Sequence, residues 1–205
     1  LLASDSHYLP PAGSGPAGKA KGKFMIPSSQ LLAPLKRHEG FYARPYLCTK
    51  KACTIGYGTN LDAHPKYIPY DDIRRMTRQG ILSGATLKNA LLKRGMVWSE
   101  QQAEAAMREE LDECRASLGR RCIQYCKLVE INDEPRAEVL LNMAFNLGVA
   151  GLLKFRNTLA ILDGAIAGKR SYADVAKGML NSAWARQVKG RARQLAKQME
   201  TGVYQ

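Results

Sequence analysis

A segment past the middle of the chain, residues 136–147, is apolar on almost every side of the helix that it would form. Its apolar side chains follow one another with little polar interruption: Val139, Leu140, Leu141, Met143, Ala144 and Phe145. A helix at the surface of a domain has an apolar stripe and a polar face, whereas a helix without a polar face must be surrounded by other elements. We therefore expect a central buried helix here.

Segments elsewhere in the chain favour helices that would pack around this one. Ser99 and Gln102 have the spacing of a capping box, and an apolar stripe with helical spacing follows them. Further helices are predicted over residues 157–168, 172–180 and 182–200, and the last has a basic exposed face. Most of the chain is thus expected to be helical.

Convincing β-structure is predicted only for residues 41–62. This stretch is rich in Tyr, Thr and Ile and is broken by turn-forming residues, as is typical of a small hairpin. A short helix capped by Ser28 or Ser29 should precede it and end at Glu39. The predicted fold is α+β and mainly α, with a small β-hairpin lobe in front of a larger helical lobe.

The first part of the chain differs in composition from the rest. Residues 1–27 combine prolines and glycines with several lysines, so they cannot bury much apolar surface and are predicted to form a flexible linker or arm. The folded domain should then span residues 28–205. Because the chain begins with Leu1 rather than Met, we expect it to be part of a longer polypeptide or a processed product.

The charge of the chain favours an anionic partner. Thirty-one Lys and Arg residues against 18 Asp and Glu residues give a net charge of +13, and nucleic acid, anionic membranes and the bacterial cell wall would all attract it. No zinc-finger, RNP or helix-turn-helix signal is present, so we expect no nucleic-acid partner. No apolar run approaches the roughly 18 residues that cross a bilayer, so no stable membrane insertion is expected.

The five cysteines do not have the spacing of a metal site. They are Cys48, Cys53, Cys114, Cys122 and Cys126, without a C-x-x-C pair or a nearby histidine. We therefore expect neither a metal nor another cofactor. Because the number is odd, at least one thiol stays free or pairs between chains. For the last three, plain buried thiols are the favoured interpretation, and a bond from Cys114 to Cys122 or Cys126 is the alternative.

One group of polar residues has the spacing of a known catalytic site. Eight residues separate Glu39 from Cys48, and five separate Cys48 from Thr54, which begins the run Thr-Ile-Gly-Tyr-Gly. A carboxyl at a helix end that faces a hairpin can act as a general acid in glycoside hydrolysis, for which a second group must handle water.

This pattern resembles the phage-type lysozymes, the T-even endolysin family, and looks like family 24 of the glycoside hydrolases. Further matches lie in residues 141–148, 155–159 and 182–203, so the resemblance covers about residues 30–205. It implies a lysozyme-like fold with a substrate cleft between the lobes. It also implies cleavage of the β-1,4 bond between N-acetylmuramic acid and N-acetylglucosamine in peptidoglycan, by an inverting mechanism.

The resemblance also implies roles for individual residues. Glu39 would be the proton donor, Cys48 would occupy the second catalytic position, where Asp is more common, and Thr54 would hold the attacking water. Positions that line the sugar cleft in the family correspond to Gly58, Thr59, Asn60, Phe145, Asn146 and Thr158. Each of these has a structural alternative, since an aromatic residue can belong to the core and glycines can shape the turn.

The role of Cys48 depends on its state. Lys50 and Lys51 would favour its thiolate, whereas a protonated thiol would only order water. Cys48 and Cys53 flank a four-residue loop, so a disulfide across the hairpin is a further alternative that would remove the thiolate.

Several functional alternatives remain at this stage. The leading hypothesis is a monomeric muramidase that acts on the cell wall or in the periplasm. It would serve either as a phage lysin or as the C-terminal domain of a secreted antibacterial effector with an immunity protein or a delivery apparatus as partner. The alternative is a catalytically silent peptidoglycan-binding module, against which the presence of both Glu39 and Thr54 argues.

Overall fold

The computed structural model describes residues 29–205, with side chains from residue 31 onward, so the predicted linker over residues 1–27 lies outside the described residues. Helix α1 (Ser29–Glu39) leads into an antiparallel sheet of three strands, β1 (Tyr42–Leu47), β2 (Cys53–Gly56) and β3 (Thr59–Asn60). A 3-10 turn at Pro65–Tyr67 ends this part. The helix before the hairpin and the position of the β-structure are as predicted.

Ten further helices follow. They are α2 (Asp71–Arg78), α3 (Gly84–Lys93), α4 (Glu100–Arg121), α5 (Ile123–Glu130), α6 (Glu134–Leu147), α7 (Val149–Leu152), α8 (Arg156–Ile166), α9 (Tyr172–Leu180), α10 (Ala183–Val188) and α11 (Gly190–Thr201). The predicted α+β fold that is mainly α is confirmed. No helix of residues 29–205 is long and apolar enough to cross a bilayer.

Helix α6 is the predicted central helix. Residues 137–144 are all buried, and the helix contacts α1, α4, α5, α7 and α11. Asp133 caps its first turn by accepting a hydrogen bond from the backbone N–H of Arg136. Helix α1 packs on α6, and its last residue, Glu39, is followed almost directly by β1, so the end of α1 connects the helical lobe with the sheet.

Helix α4 connects the two parts of the domain. It has 22 residues and is therefore about 33 Å long, and it contacts β2 and β3 as well as α5, α6 and α7. The capping box predicted at Ser99 and Gln102 is present at its start. Helix α3 packs against β1 and β2, so helices α3 and α4 both contact the small sheet.

One predicted element differs in the structure. The segment predicted as a single helix over residues 182–200 is broken at Lys189, whose φ of +46° is incompatible with a continuous right-handed helix. Helix α10 ends at Val188 and α11 begins at Gly190. The break turns the chain so that Arg191 lies in the first turn of α11, buried against α6.

We expect Gly56→Ala to destabilise the fold through close packing of the hairpin on α4. A Cβ atom at Gly56 would lie 2.8 Å from the Cβ of Ala103 and 3.0 Å from the ring of Trp98, and its φ is +65°. The expected loss of unfolding free energy is about 2–4 kcal/mol, combining backbone strain with overpacking. Thermal and denaturant unfolding would measure it.

Gly80→Ala is the matched control for this prediction. Gly80 has a similar φ of +72°, but nothing lies within 4 Å of its would-be Cβ. Gly80→Ala should therefore lower the stability only through backbone strain. If both substitutions lowered the free energy of unfolding equally, the close contact between Gly56 and α4 would not contribute to the destabilisation.

Candidate active site

Glu39 is the last residue of α1, at the junction of the two lobes. Gly40, with a φ of +70°, ends the helix and turns the chain into β1, and its N–H donates to the carbonyl of Lys36 at 3.1 Å. The Glu39 side chain is 28% exposed. Gly58 lies opposite it on the hairpin, where a Cβ would come within 3.3 Å of Glu39 Oε2. A glycine at this position thus lets the hairpin approach the carboxylate.

A buried arginine holds the other oxygen of this carboxylate. Nη1 of Arg191 donates to Glu39 Oε1 at 3.2 Å, and its Nε donates to Asn142 Oδ1 at 2.9 Å. The Arg191 side chain is only 6% exposed. Burial lowers the pKa of its guanidinium, and the neighbouring Glu39 carboxylate opposes that shift. The contacts leave Oε2 as the carboxylate oxygen that faces the hairpin.

Arg191 and Asn142 are the site residues that sequence reasoning missed. Arg191 stands in a segment that matched the family pattern, but its spacing to Glu39 carries no local signal because the pair is 152 residues apart. Asn142 is the polar residue within the otherwise apolar run of α6, and a buried asparagine in such a run requires a partner.

Cys48 and Thr54 lie next to each other at the end of the hairpin. Burial raises the pKa of the Cys48 thiol, but hydrogen bonds from Thr54 and from backbone amides of the turn outweigh it and bring the pKa below its ordinary value. The Thr54 hydroxyl is also 3.1 Å from the carbonyl of Ala52, to which it donates. Since it has one proton, it can donate either to this carbonyl or to the sulfur.

A disulfide between Cys48 and Cys53 does not form in the structure, in which all five cysteines are free. Leu47 pairs with Cys53, and the Cys48 N–H donates to the Ala52 carbonyl at 3.0 Å, so the two cysteines occupy neighbouring cross-strand positions. Successive residues of a strand point to opposite faces. Cys53 is fully buried, and burial next to Asp62 raises its thiol pKa to about 12.

The Tyr46 phenol senses the charges of both Glu39 and Cys48. It is half-buried, and burial followed by the negative charges of Tyr42, Glu39 and Cys48 raises its pKa. The phenol is therefore within electrostatic reach of both predicted catalytic groups.

The predicted hairpin wall of the cleft is only partly available to a substrate. Gly58 lies beside the Glu39 carboxylate. The side chain of Thr59 is 1% exposed and its hydroxyl bonds the Glu110 carboxyl, so Thr59 can border a cleft only through its backbone, and its place in the hairpin wall stays a prediction. Asn60 uses its side-chain oxygen to accept the backbone N–H groups of Asp62 and Ala63, which shapes the following turn.

The predicted cleft residues of the helical lobe have mixed surroundings. Phe145 is half-buried against the core. Asn146 is exposed and accepts a hydrogen bond from Trp184 Nε1 at 3.0 Å. Thr158 is half-buried and faces α9, where a Cβ on Gly178 would come within 3.0 Å of its hydroxyl oxygen. Thr158 therefore has a packing role between α8 and α9 in addition to any contact with a ligand.

Comparison with known proteins gives one result that covers this site. The family model described as phage lysozyme matches residues 36–199, a range that includes Glu39, Cys48, Thr54 and Arg191. A search of curated proteins gives no match.

We expect Cys48 to be alkylated faster than Cys53, Cys114 and Cys122 in the folded protein, because its thiol pKa is lowered and theirs are raised by burial. The pH at which Cys48 reaches half its maximal rate should rise in Thr54→Val. Peptide mapping by mass spectrometry after iodoacetamide pulses at several pH values measures both.

Thr49→Val is the control for the Thr54 effect. Thr49 is an exposed threonine of the same turn and is not among the groups that bond the Cys48 thiol. Its substitution should leave the reaction profile unchanged. Modification of Cys53 before Cys48 would contradict the predicted order.

Proposed function

The chain belongs to the phage lysozyme family, and we propose that it is a muramidase that hydrolyses the β-1,4 bond between N-acetylmuramic acid and N-acetylglucosamine in bacterial peptidoglycan. The single observation that carries this proposal is the arrangement of Glu39. Its Oε1 is fixed by a buried arginine, while its Oε2 faces the hairpin beside Gly58. One carboxyl oxygen is thus anchored and the other is available to a substrate.

Glu39 would act as the general acid. In the protonated carboxyl, Oε1 is the carbonyl oxygen and accepts the Arg191 N–H, and Oε2 carries the proton towards the glycosidic oxygen. Because Arg191 is itself anchored by Asn142, the carboxyl cannot rotate freely. Arg191 and Asn142 are positioning residues in this scheme, since they act through Glu39.

Cys48 and Thr54 would manage the attacking water. The lowered pKa of the Cys48 thiol increases its thiolate fraction near neutral pH, and a thiolate can accept the proton of a water molecule. When the Thr54 hydroxyl donates its one proton to the Cys48 thiolate instead of the Ala52 carbonyl, its lone pairs remain to accept a water proton. Attack by water from the side opposite to the leaving group inverts the anomeric carbon.

The charge of the chain supports the same substrate. A net charge of +13 attracts the protein to anionic cell walls. We propose that the enzyme acts as a monomer on the wall or in the periplasm. It would be delivered either by phage lysis or by a secretion system, in which case an immunity protein is the expected partner.

Glu39→Gln should abolish hydrolysis without unfolding the domain. Glutamine keeps the size and can still accept the Arg191 N–H, but it has no proton to give, so turnover of purified peptidoglycan should fall by about 10²- to 10⁴-fold. Glu130→Gln, at an exposed position on α5, is the control. Mass spectrometry of the wild-type products should show reducing muramic-acid ends.

Two outcomes would contradict the muramidase proposal. Anhydro-sugar ends would identify a lytic transglycosylase, because no water is added in that reaction. Binding of peptidoglycan without any released product by the wild type would identify a silent binding module.

The substitutions Cys48→Asp and Cys48→Ser test the base. If the thiolate is the base, activity of the wild type rises with pH through the Cys48 pKa. Cys48→Asp should keep activity and move this rise to lower pH, because a carboxyl has an ordinary pKa of about 3.9. Cys48→Ser should lower the rate and lose the rise, because its hydroxyl stays neutral. Wild-type rates in Cys48→Ser across the pH range would exclude a role as base.

A further inference from the structure

Two tyrosines of β1 form an aromatic pair at the edge of the candidate site. The ring centroids of Tyr42 and Tyr46 are 4.4 Å apart, with an angle of 35° between the ring planes. Tyr42 is 52% exposed, which is unusual for a large aromatic side chain in a stacked pair. Tyr46 is half-buried. One ring thus supports the other from inside, and the outer ring is open to solvent.

The pair exists because β1 is irregular. Residues four apart on a regular strand are about 13 Å from each other, too far for their rings to stack. Here Tyr42 pairs with Gly56 and Tyr46 with Thr54, so β1 has extra residues between these two positions. Pro45 is buried inside this bulge, and the backbone carbonyl of Ala43 accepts a hydrogen bond from the backbone N–H of Trp98 at 2.8 Å. The bulge is therefore anchored to the segment before α4.

The pair adjoins the groups that carry the proposed chemistry. Tyr42 packs near Gly40, where a Cβ would lie 3.8 Å from the Tyr42 ring, and Gly40 directly follows Glu39. The Tyr46 phenol is within electrostatic reach of Glu39 and Cys48. The tyrosine pair thus lies on the strand that directly follows Glu39.

Other aromatic pairs of the domain have a structural role that this pair lacks. Trp184, which contacts Phe155 edge to face, is 4% exposed and bonds Asn146; Trp98, which contacts Tyr67, is 8% exposed. Those rings add to the core. The outer face of Tyr42 does not, and a solvent-exposed aromatic surface next to a reactive site is typical of ligand binding.

We propose that Tyr42, supported by Tyr46, is a sugar-binding subsite that stacks a pyranose ring of the glycan strand next to the bond cleaved at Glu39. A pyranose ring presents a face of axial C–H groups, which packs on an aromatic face, while the flanking hydroxyls remain hydrated. The proposal rests on the proposed function for the identity of the glycan. It assigns Tyr42 as a substrate-binding residue, and the β1 bulge would then serve to bring the two tyrosines together.

The test measures binding separately from cleavage. Glycan strands of peptidoglycan, freed of stem peptides by an amidase, are titrated into Glu39→Gln and into Glu39→Gln combined with Tyr42→Ala. The Kd should rise about five- to tenfold when the ring is removed, and Tyr42→Phe and Tyr42→Trp should keep binding within about twofold. In the active protein, Tyr42→Ala should raise KM by a similar factor and leave kcat within about twofold.

Arg44→Ala is the matched control, because Arg44 is an exposed residue of the same strand between the two tyrosines. An equal loss of binding in Arg44→Ala, or an unchanged Kd in Tyr42→Ala, would overturn the subsite. Hydrolysis by the wild type with an unchanged KM in Tyr42→Ala would leave the muramidase proposal in place and remove the subsite. Ring-dependent binding by a wild type that releases no product would support the subsite and refute the muramidase proposal.

Discussion

The ion pair between Glu39 and Arg191 joins residues that are 152 positions apart and connects the helix that leads into the sheet with the last helix of the helical lobe. Glu39 ends the helix that leads into the sheet, and Arg191 begins the last helix, while Asn142 of the central helix holds the guanidinium. The Arg191 side chain is 6% exposed and that of Glu39 is 28% exposed, so the buried guanidinium depends on this partly exposed carboxylate for compensation of its charge. The same contact fixes one carboxyl oxygen and leaves the other to the hairpin.

Two glycines of the hairpin allow its backbone to lie close to this network and to α4. Gly58 lets the strand connection come near the carboxylate, and Gly56 lets β2 lie against α4. The bulge in β1 then directs Tyr42 and Tyr46 to the same region. The small sheet is thus packed closely against its neighbours, with Thr54 buried in β2 and Tyr42 exposed on β1.

Cys48 and Cys53 show how strongly the surroundings of a cysteine change its thiol pKa. Cys48 lies in a turn rich in hydrogen-bond donors, which lower its pKa, whereas Cys53 is surrounded by the core and has a pKa of about 12. Their separation on opposite faces of the hairpin follows from the cross-strand register and excludes the disulfide that the sequence left open.

The sequence alone predicted the central helix and the hairpin, and the spacing of Glu39, Cys48 and Thr54 indicated the candidate site. These features are local, because helix periodicity, turn residues and strand alternation act between near neighbours in the chain. It did not predict the break at Lys189, the burial of Thr59 against Glu110, or the partners of Glu39. These were decided only by tertiary packing, since the cost of burying a charged or polar group is set by whichever distant residue the fold places beside it.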